Sequence, residues 1–388
     1  SPSAIETMGD KISARAAAVK AGVPVVPGYD GEDQSDAKLL SEAKKIGFPL
    51  IIKASGGGGG RGLKIAKIEA EFFDQLSSAR RESKSAFDSE KVFLEKYLDH
   101  AKHIEFQVFG DASGKVFHLF DRECSVQRRH QKIIEEALSP SLSADIRKRM
   151  ADDAVKVAQS VKYQSAGTVE FIFQDDEYFF MEMNTRLQVE HPVTELVTGK
   201  DLVKSQLLCA QGVSTEWLQE DIRTVGHSIE CRLYAEDPYQ GGIPSTGLLG
   251  TCFFPEGPGR RFEVGFEKGD TITSYYDSMI AKIIVFEENR DKCIAKMIQT
   301  LQDSVVFGLQ TNIPYLIEIL KHPEFQSGKM TTQFIGKYFS EPLPALQLTD
   351  NEKKFASLAA AQAGSVRSQV PDTTTLHSSP WQSYWRLT

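Results

Sequence analysis

The sequence has no C-x-x-C pair, and its five cysteines (Cys124, Cys209, Cys231, Cys252 and Cys293) are scattered through 388 residues. That spacing excludes a zinc ribbon, a dithiol redox motif and a secreted disulfide framework, and it favours a reducing compartment. No apolar run approaches the roughly 18 residues a membrane-spanning helix needs, so no membrane association is expected. The opening SPSAIETMGDK has neither the basic start nor the apolar stretch of a signal peptide. Positive charge is also short: 45 Lys and Arg face 53 Asp and Glu, a net charge of -8 that argues against a nucleic-acid partner. What remains is an ordinary globular balance, 41% hydrophobic and 25% charged. At roughly 150 residues per domain it is enough for two or three domains.

The pattern along the chain predicts helices from about Asp10 to Ala21, stopped by Gly22, and from Ser35 to Ile46, stopped by Gly47. PLIIKAS and Lys64–Ile68 read as strands and Glu69–Lys84 as a polar helix. Three β-rich runs, Val92–Leu98, Ile104–Phe109 and Val116–Phe120, are spaced as a meander. Ser143–Val161 is helical, and Gly167–Met183 is a hairpin turning around Gln174-Asp175-Asp176-Glu177. A helix-rich stretch to Gly212, a β-rich region over about His227–Phe286 and a helix near Asp291–Ser304 follow. From about Asp350 a polar tail reads as linker and ends in Trp381 and Trp385.

Ser55-Gly56-Gly57-Gly58-Gly59-Gly60-Arg61-Gly62 lies between the first two strands. Gly57-x-Gly59-x-x-Gly62 fits the dinucleotide spacing, but β-type residues follow it where that fingerprint needs a helix. No Gly-Lys-Ser/Thr closes a Walker loop, and neither H-R-D nor D-F-G of a kinase occurs. A glycine flap between strands lets backbone N–H groups close over phosphates, with Lys53, Arg61 and Lys64 beside it to balance their charge. A flexible linker is the alternative reading.

Each strand of the later hairpin holds one glutamate among aromatics, Glu170 in TVEFIF and Glu182 in YFFMEMN. A lone carboxylate buried there costs several kcal/mol and needs a cation. Period 2 puts Glu182 and Asn184 on one face, and Glu170 joins them only if it pairs with Glu182, which requires an odd-length loop such as residues 175–177. Such hard oxygens suit Mg²⁺ or Mn²⁺ carrying nucleotide phosphates, and an ion pair with a buried Lys or Arg is the alternative. The turn Asn184-Thr185-Arg186-Leu187-Gln188-Val189-Glu190-His191-Pro192 follows directly. An arginine fork there can hold a small planar anion and a carboxylate can take a proton.

EMNTRLQVEHPVTE, with FPLIIKASGGGGGRG before it and GHSIECRLYAEDP after it, resembles the biotin carboxylase family of ATP-grasp enzymes, over about Ser3 to Tyr338. The resemblance implies an α+β architecture: an ATP-grasp fold with a lid subdomain and a central antiparallel sheet, then a β-rich C-terminal domain. The expected segments are an opening stretch of the core (1–30), the lid with its glycine flap (31–100), the core with metal and bicarbonate sites (101–222), the C-terminal domain (223–342) and a linker (343–388). The family opens with a Rossmann-like domain of roughly a hundred residues. Nothing like it precedes Ser1, so the chain is expected to be the lid and C-terminal portions of such an enzyme.

By motif matching, the resemblance implies that ATP and bicarbonate give carboxyphosphate, whose CO₂ carboxylates biotin, the first half-reaction of an acyl-CoA carboxylase. Lys11 and Lys53 would contact ATP, with Gly59 and Gly60 over its phosphates. Glu95, Lys96, Tyr97 and Leu98 would hold the adenine edge, and His103, Gln127 and His130 the ribose and phosphate side. Glu170, Glu182 and Asn184 would carry Mg²⁺ or Mn²⁺. Lys132, Arg186, Gln188 and Val189 would position bicarbonate, Glu190 would be its base and Arg232 would stabilise the biotin enolate. No Met-Lys-Met site is present, so biotin is expected on a separate carrier domain, with a carboxyltransferase subunit as a further partner and an oligomer as the intact enzyme. The expected location is bacterial cytoplasm or mitochondrial matrix.

Without the resemblance several of these residues read differently. Lys11 is a solvated charge at a helix start, His103 a strand histidine facing water, and Gln127–Lys132 a solvent-exposed basic strand. Arg232 on an apolar strand calls for a buried carboxylate partner. In Tyr275-Tyr276-Asp277 the resemblance makes the Asp a support for the site's arginines, while core packing explains the tyrosines equally well. A carboxylate–amine ligase of the same fold, and a nucleotide-binding module without turnover, are the competing functions.

Overall fold

The chain opens with two short helices. The Ser1 hydroxyl caps α1 (Pro2–Gly9) by accepting from the Ala4 N–H at 3.3 Å. Pro2 stands in the first turn, where its missing N–H costs nothing. The sequence pattern gave no helix ahead of Asp10; the serine-proline start is the signal that marks it. Asp10 caps α2 (Lys11–Lys20) through the Ser13 N–H at 2.8 Å. Both helices bury small residues, Ala4, Ala14 and Ala18, against the main sheet. The computed structural model describes residues 1–54, 63–129, 131–344 and 349–358 except 352 and 356. The glycine flap with Gly59 and Gly60, His130, and most of the polar tail with Trp381 and Trp385 lie outside the described residues.

Residues 28–96 build a small α/β layer. Its strands are β1 (Gly28–Tyr29), β2 (Leu50–Ala54), β3 (Leu63–Ala66) and β4 (Val92–Lys96), in the order β1-β4-β2-β3. Helices α3 (Asp36–Ile46) and α4 (Phe72–Phe87) close a core of Leu39, Leu50, Ile52, Phe72, Leu76 and Leu94. The expected three-strand meander does not form. β4 runs between β1 and β2, so Val92–Leu98 belongs to this layer. Only the two later runs pair with each other, because the apolar partners of Val92 and Leu94 lie under α4.

The larger sheet is antiparallel and eight-stranded. It takes in β5 (Lys102–Gly110), β6 (Val116–Arg128), β7 (Gln131–Ala137), β8 (Ser165–Gln174), β9 (Glu177–Asn184) and β10 (His227–Tyr234). Arg260–Val264 and Met279–Glu287 complete it, in the order 260–264, 279–287, β10, β7, β6, β5, β8, β9. The sheet thus continues through the boundary expected near residue 223, with β10 bonded to β7. One face of β5, β8 and β9 packs Phe106, Val169 and Phe171 on α5 (Ala144–Ser160), whose Ala154 and Val157 are fully buried. Farther along, Ile229, Cys231, Leu233 and Ile283 meet Met297 and Leu301 of the Arg290–Asp303 helix. The opposite face of the sheet is polar yet buried, under the turn at 184–190 and α6 (His191–Thr198).

The β8–β9 hairpin departs from the expected odd-length loop. Gln174 pairs with Glu177 across a two-residue turn, and Phe171 pairs with Phe180. A bulge between Glu170 and Phe171 then brings Glu182, not Met181, opposite Glu170. The extra residue sits in the strand as Met181, 43% exposed, rather than in the loop. Asp175 and Asp176 both have positive φ, 53° and 62°, the conformation of a type I′ turn. Asp176→Gly relieves a left-handed conformation worth ~1 kcal/mol at a non-glycine residue; the expected outcome is a thermal midpoint raised by a few degrees at most, read by circular dichroism.

Candidate active site

A cleft of about 1030 Å³ lies between the small layer and the large sheet. Lys11, Lys53, Glu95, Lys96, Tyr97, Leu98, His103, Gln127 and Glu182 all line it. Residues about 40 positions apart in sequence meet here because β2 and β4 pair Ile51 with Glu95 and Lys53 with Phe93. Lys53 and Glu95 form an ion pair, joined by Arg15 at 3.5 Å from α2. Lys96 Nζ donates to the Gly47 and Phe48 carbonyls at 3.3 and 3.2 Å, and the Tyr97 hydroxyl accepts from Gln333 Nε2 at 2.7 Å. Lys11 is solvated, as its place at a helix start suggests, but it is solvated at the cleft wall.

Behind one end of the cleft is a buried charge cluster built on the polar face of the sheet. Alternation on β5 turns Ile104, Phe106 and Val108 to the α5 core and Glu105 and Gln107 to the other side. Lys132 on β7 lies within 2.5 Å of Glu105, 2.6 Å of Glu190 and 3.1 Å of Glu170. Burial alone would lower the Lys132 pKa, but Cys124, Glu105, Glu190 and Glu170 hold it well above the usual lysine value. Arg232 on β10 finds the carboxylate partners its apolar strand calls for: its Nε donates to Glu135 at 2.6 Å and its Nη2 to Glu190 at 3.0 Å. The two Glu190 oxygens are thus each held by a different cation.

Glu170 is the junction between cluster and cleft. Its Oε1 accepts from Asn184 and Gln188 at 2.9 Å each, and its Oε2 lies 3.0 Å from His103 Nε2. Burial would raise its pKa, but His103 and Lys132 bring it well below the usual carboxylate range. His103 is buried rather than facing water, with Gln127 Nε2 2.7 Å from its Nδ1. Burial would lower the His103 pKa, and Glu170 outweighs it and raises it. The solvent-exposed reading of residues 127–132 therefore fails for Gln127 and Lys132, which are half-buried and bonded to His103 and to Glu105, Glu170 and Glu190 respectively. Val189 accepts from Lys282 Nζ through its carbonyl at 2.8 Å. Arg186 is exposed and, among the described residues, its side chain donates only to the Leu187 carbonyl, at 3.2 Å, so here it stands apart from the cluster.

Two further readings are corrected. Asp277 accepts from Gln131 Nε2 at 3.1 Å and from the Met279 N–H at 2.7 Å, and it bonds to no arginine among the described residues. Tyr275 and Tyr276 are 86% and 88% exposed, which removes core packing as their explanation.

A divalent metal fits the cleft side of this arrangement. Glu182 makes no hydrogen bond among the described residues and stands opposite Glu170, with Asn184 bonded to Glu170. This is a set of hard oxygen donors. The tightest groups of possible ligand atoms are instead His103, Glu105 and Glu170, and Glu105, Cys124 and Glu190. Glu105 is already held by Arg122 and Lys132, so ion pairing accounts for these groups without a metal.

Arg122 was not anticipated. It is fully buried on β6, and its guanidinium donates to Glu105 (2.5 Å), Gln107 (2.7 Å), Thr194 (3.0 Å), Thr168 (3.1 Å) and Gln188 (3.2 Å). Burial opposes its charge, while Glu105 and Glu190 raise its pKa above the usual value. Glu105 and Glu135 were missed with it. The available signal was Glu105 and Gln107 alternating with Ile104, Phe106 and Val108, a pattern usually read as one solvated face.

The chain matches the family described as "Carbamoyl-phosphate synthase L chain, ATP binding domain" over residues 10–218, and "Biotin carboxylase C-terminal domain" over residues 230–337. It is 45% identical over 384 residues to a mitochondrial methylcrotonoyl-CoA carboxylase subunit alpha of Dictyostelium discoideum, covering 98% of this chain and 54% of that one. It is also 45% identical over 340 residues to biotin carboxylase 1 of Bacillus subtilis, covering 87% and 76%. The biotin carboxylase domain of Hydrogenobacter thermophilus 2-oxoglutarate carboxylase, solved as a dimer with MgADP, ADP and bicarbonate, superposes with a TM-score of 0.80 at 45% identity, over 86% of this chain and 74% of that one. A Campylobacter jejuni biotin carboxylase–β-γ-ATP complex gives 0.82 at 39% identity, over 87% and 76%. The chain spans about half the length of the methylcrotonoyl-CoA carboxylase subunits it matches, 54% and 48%.

Removing Arg122 leaves Glu105, Gln107 and Gln188 buried without their donor. Arg122→Ala is expected to cost about 3–5 kcal/mol, as for other broken buried ion pairs. Adding Glu105→Gln should recover part of that loss, and a double-mutant cycle in urea measures the coupling.

Proposed function

The chain belongs to the biotin carboxylase family of ATP-grasp enzymes, and on that premise we propose that its cleft carries out the ATP- and bicarbonate-dependent carboxylation of biotin. The observation that carries the reading is Glu190, held through one oxygen by Lys132 and through the other by Arg232, with Lys132 also bonded to Glu170, whose partner His103 lines a nucleotide-sized cleft. A carboxylate–amine ligase of the same fold has no need for that clamp.

ATP lies along the cleft, its adenine edge on Glu95–Leu98 and its phosphates toward Lys11 and Lys53; Gly59, Gly60 and His130 belong to the same proposed nucleotide site. Glu170, Glu182 and Asn184 would hold Mg²⁺ or Mn²⁺, which when bound neutralises phosphate charge. Lys132, Gln188 and Val189 position bicarbonate, Arg186 joins them from the exposed part of the same turn when the anion binds, and Glu190 takes the bicarbonate proton. The bicarbonate oxygen then forms a bond to the γ-phosphorus as the bond to ADP breaks. Carboxyphosphate separates into CO₂ and phosphate. The phosphate just released takes the ureido N1′ proton of biotin and N1′ attacks CO₂, with the Arg232 guanidinium balancing the enolate charge.

The whole enzyme would be an acyl-CoA carboxylase of the methylcrotonyl, propionyl or acetyl kind. A carrier domain would present biotin, a carboxyltransferase subunit would receive the carboxyl group, and the intact enzyme would be an oligomer. No helix of the described residues is long and apolar enough to cross a membrane. The mitochondrial matrix, or the cytoplasm of a bacterium, is the proposed location. The lid at 31–100, the core at 101–222 and the C-terminal domain at 223–342 are proposed as its functional parts.

ADP release from Mg-ATP tests the reading: it is expected to require bicarbonate and to rise with free biotin, whereas release indifferent to bicarbonate overturns it. Arg232→Ala should lose the stimulation by biotin while keeping much of the bicarbonate-dependent release. Glu182→Gln should raise the Mg²⁺ concentration needed for half-maximal ATP binding, read by titration calorimetry.

A further inference from the structure

Behind Arg232 lies a carboxyl group that the steps above do not use. Glu230 precedes Arg232 by two residues on β10, so both side chains point to the same face. It stands directly opposite Glu135 on β7, and both residues are 0% exposed. Glu135 Oε1 accepts from Arg232, but Glu135 Oε2 and both Glu230 oxygens have no hydrogen-bond partner among the described residues. Directly opposed strand residues have Cβ atoms about 4.5–5.5 Å apart, within reach for two carboxyl groups.

The charges around the pair leave no cation for Glu230. From β7, Lys132 is shared by Glu105, Glu170 and Glu190. Arg232 is shared by Glu135 and Glu190, and Lys282 on the Met279–Glu287 strand pairs with Glu263 and the Val189 carbonyl. From α6 come His191, 2.8 Å from the Gln188 carbonyl, and Glu195, paired with Arg261. The Arg290–Asp303 helix packs on the other face, against Ile229, Cys231 and Leu233. Two adjacent carboxylates in such a place cannot both ionise, and a shared proton would join two of the three orphan oxygens, Glu135 Oε2 and one oxygen of Glu230. Burial and the neighbouring Glu135 push Glu230 well above the usual carboxylate value, while burial raises Glu135, against the pull of Arg232, to about 7.

We propose that Glu230 is a positioning residue for the biotin step: as a carboxylic acid it donates a hydrogen bond to Glu135 Oε2, so that the pair carries one negative charge and Glu135 holds Arg232 beside Glu190. The proposal rests on the biotin carboxylase reading. When the proton is lost, a second negative charge draws the guanidinium into the sheet and away from the ureido oxygen it serves.

Infrared difference spectroscopy of the full chain at neutral pH tests the proton directly, without turnover, so a failure of the pair is distinguishable from a failure of the carboxylase reading. The C=O stretch of a buried carboxylic acid is expected in the wild type and is lost in Glu230→Gln and in Glu230→Leu. In the ADP-release assay, the ratio of biotin-stimulated to unstimulated rate is expected to decline in the wild type as pH rises and the proton leaves. Glu230→Gln keeps a donor that cannot ionise and should lack that decline. Glu230→Leu keeps the volume without a donor and should lower the ratio about five- to tenfold, the worth of one hydrogen bond. No acid band in the wild type, or a Glu230→Gln profile with the wild-type decline, overturns the proposal; where one variant does not fold, the other reads the same band.

Discussion

A sheet that buries both faces has to neutralise whatever charge its polar face carries, and this constraint organises the molecule around Lys132, Arg122 and Arg232. Each unpaired carboxylate there would cost several kcal/mol. Glu105, Glu170, Glu190 and Glu135 survive because each touches at least one of the three cations. The cluster is mutually dependent: Arg122 holds Glu105, Glu105 helps to hold Lys132, and Lys132 and Arg232 fix the two ends of Glu190.

The same requirement explains why the site lies where it does. The strands carrying these charges are central in the sheet, β5, β6, β7 and β10. The 184–190 turn and α6 cover them, so the carboxylates Glu105, Glu135 and Glu190 are buried beside the neighbouring cleft. Glu170 has one oxygen toward Asn184 and Gln188 and the other toward His103, which also lines the cleft.

Family membership and geometry carry different parts of the functional reading. Membership rests on matches across both halves of the chain and on relatives such as biotin carboxylase 1. Geometry adds the clamp on Glu190 and the joining of residues 11, 53, 95–98 and 182 in one cleft. The ATP-binding half alone matches a family description named for a different activity. Beyond that half, β10 supplies Arg232, which holds the second oxygen of Glu190.

Much was legible from local pattern: the strands either side of the glycine run, the helices ended by Gly22 and Gly47, and two glutamates on facing hairpin strands. Residue chemistry in the turn after the hairpin marked Gln188 and Glu190, and an apolar strand made Arg232 stand out, whereas Lys132 was indicated only by the family resemblance. Local pattern did not carry Arg122, Glu105, Glu135 and Glu230, because an alternating polar face looks the same whether water or another part of the chain covers it. Nor did it locate the residue that aligns Glu182 with Glu170, since a bulge at Met181 and an odd-length loop give the same pairing. The sequence by itself determined which residues are strands, turns and candidate ligands, through periodicity and side-chain chemistry that act over a few residues. Which strand lies beside which, and hence which carboxylate meets which cation, was decided only by tertiary packing, because the free energy of a buried charge depends on partners that the chain brings from as far as a hundred residues away.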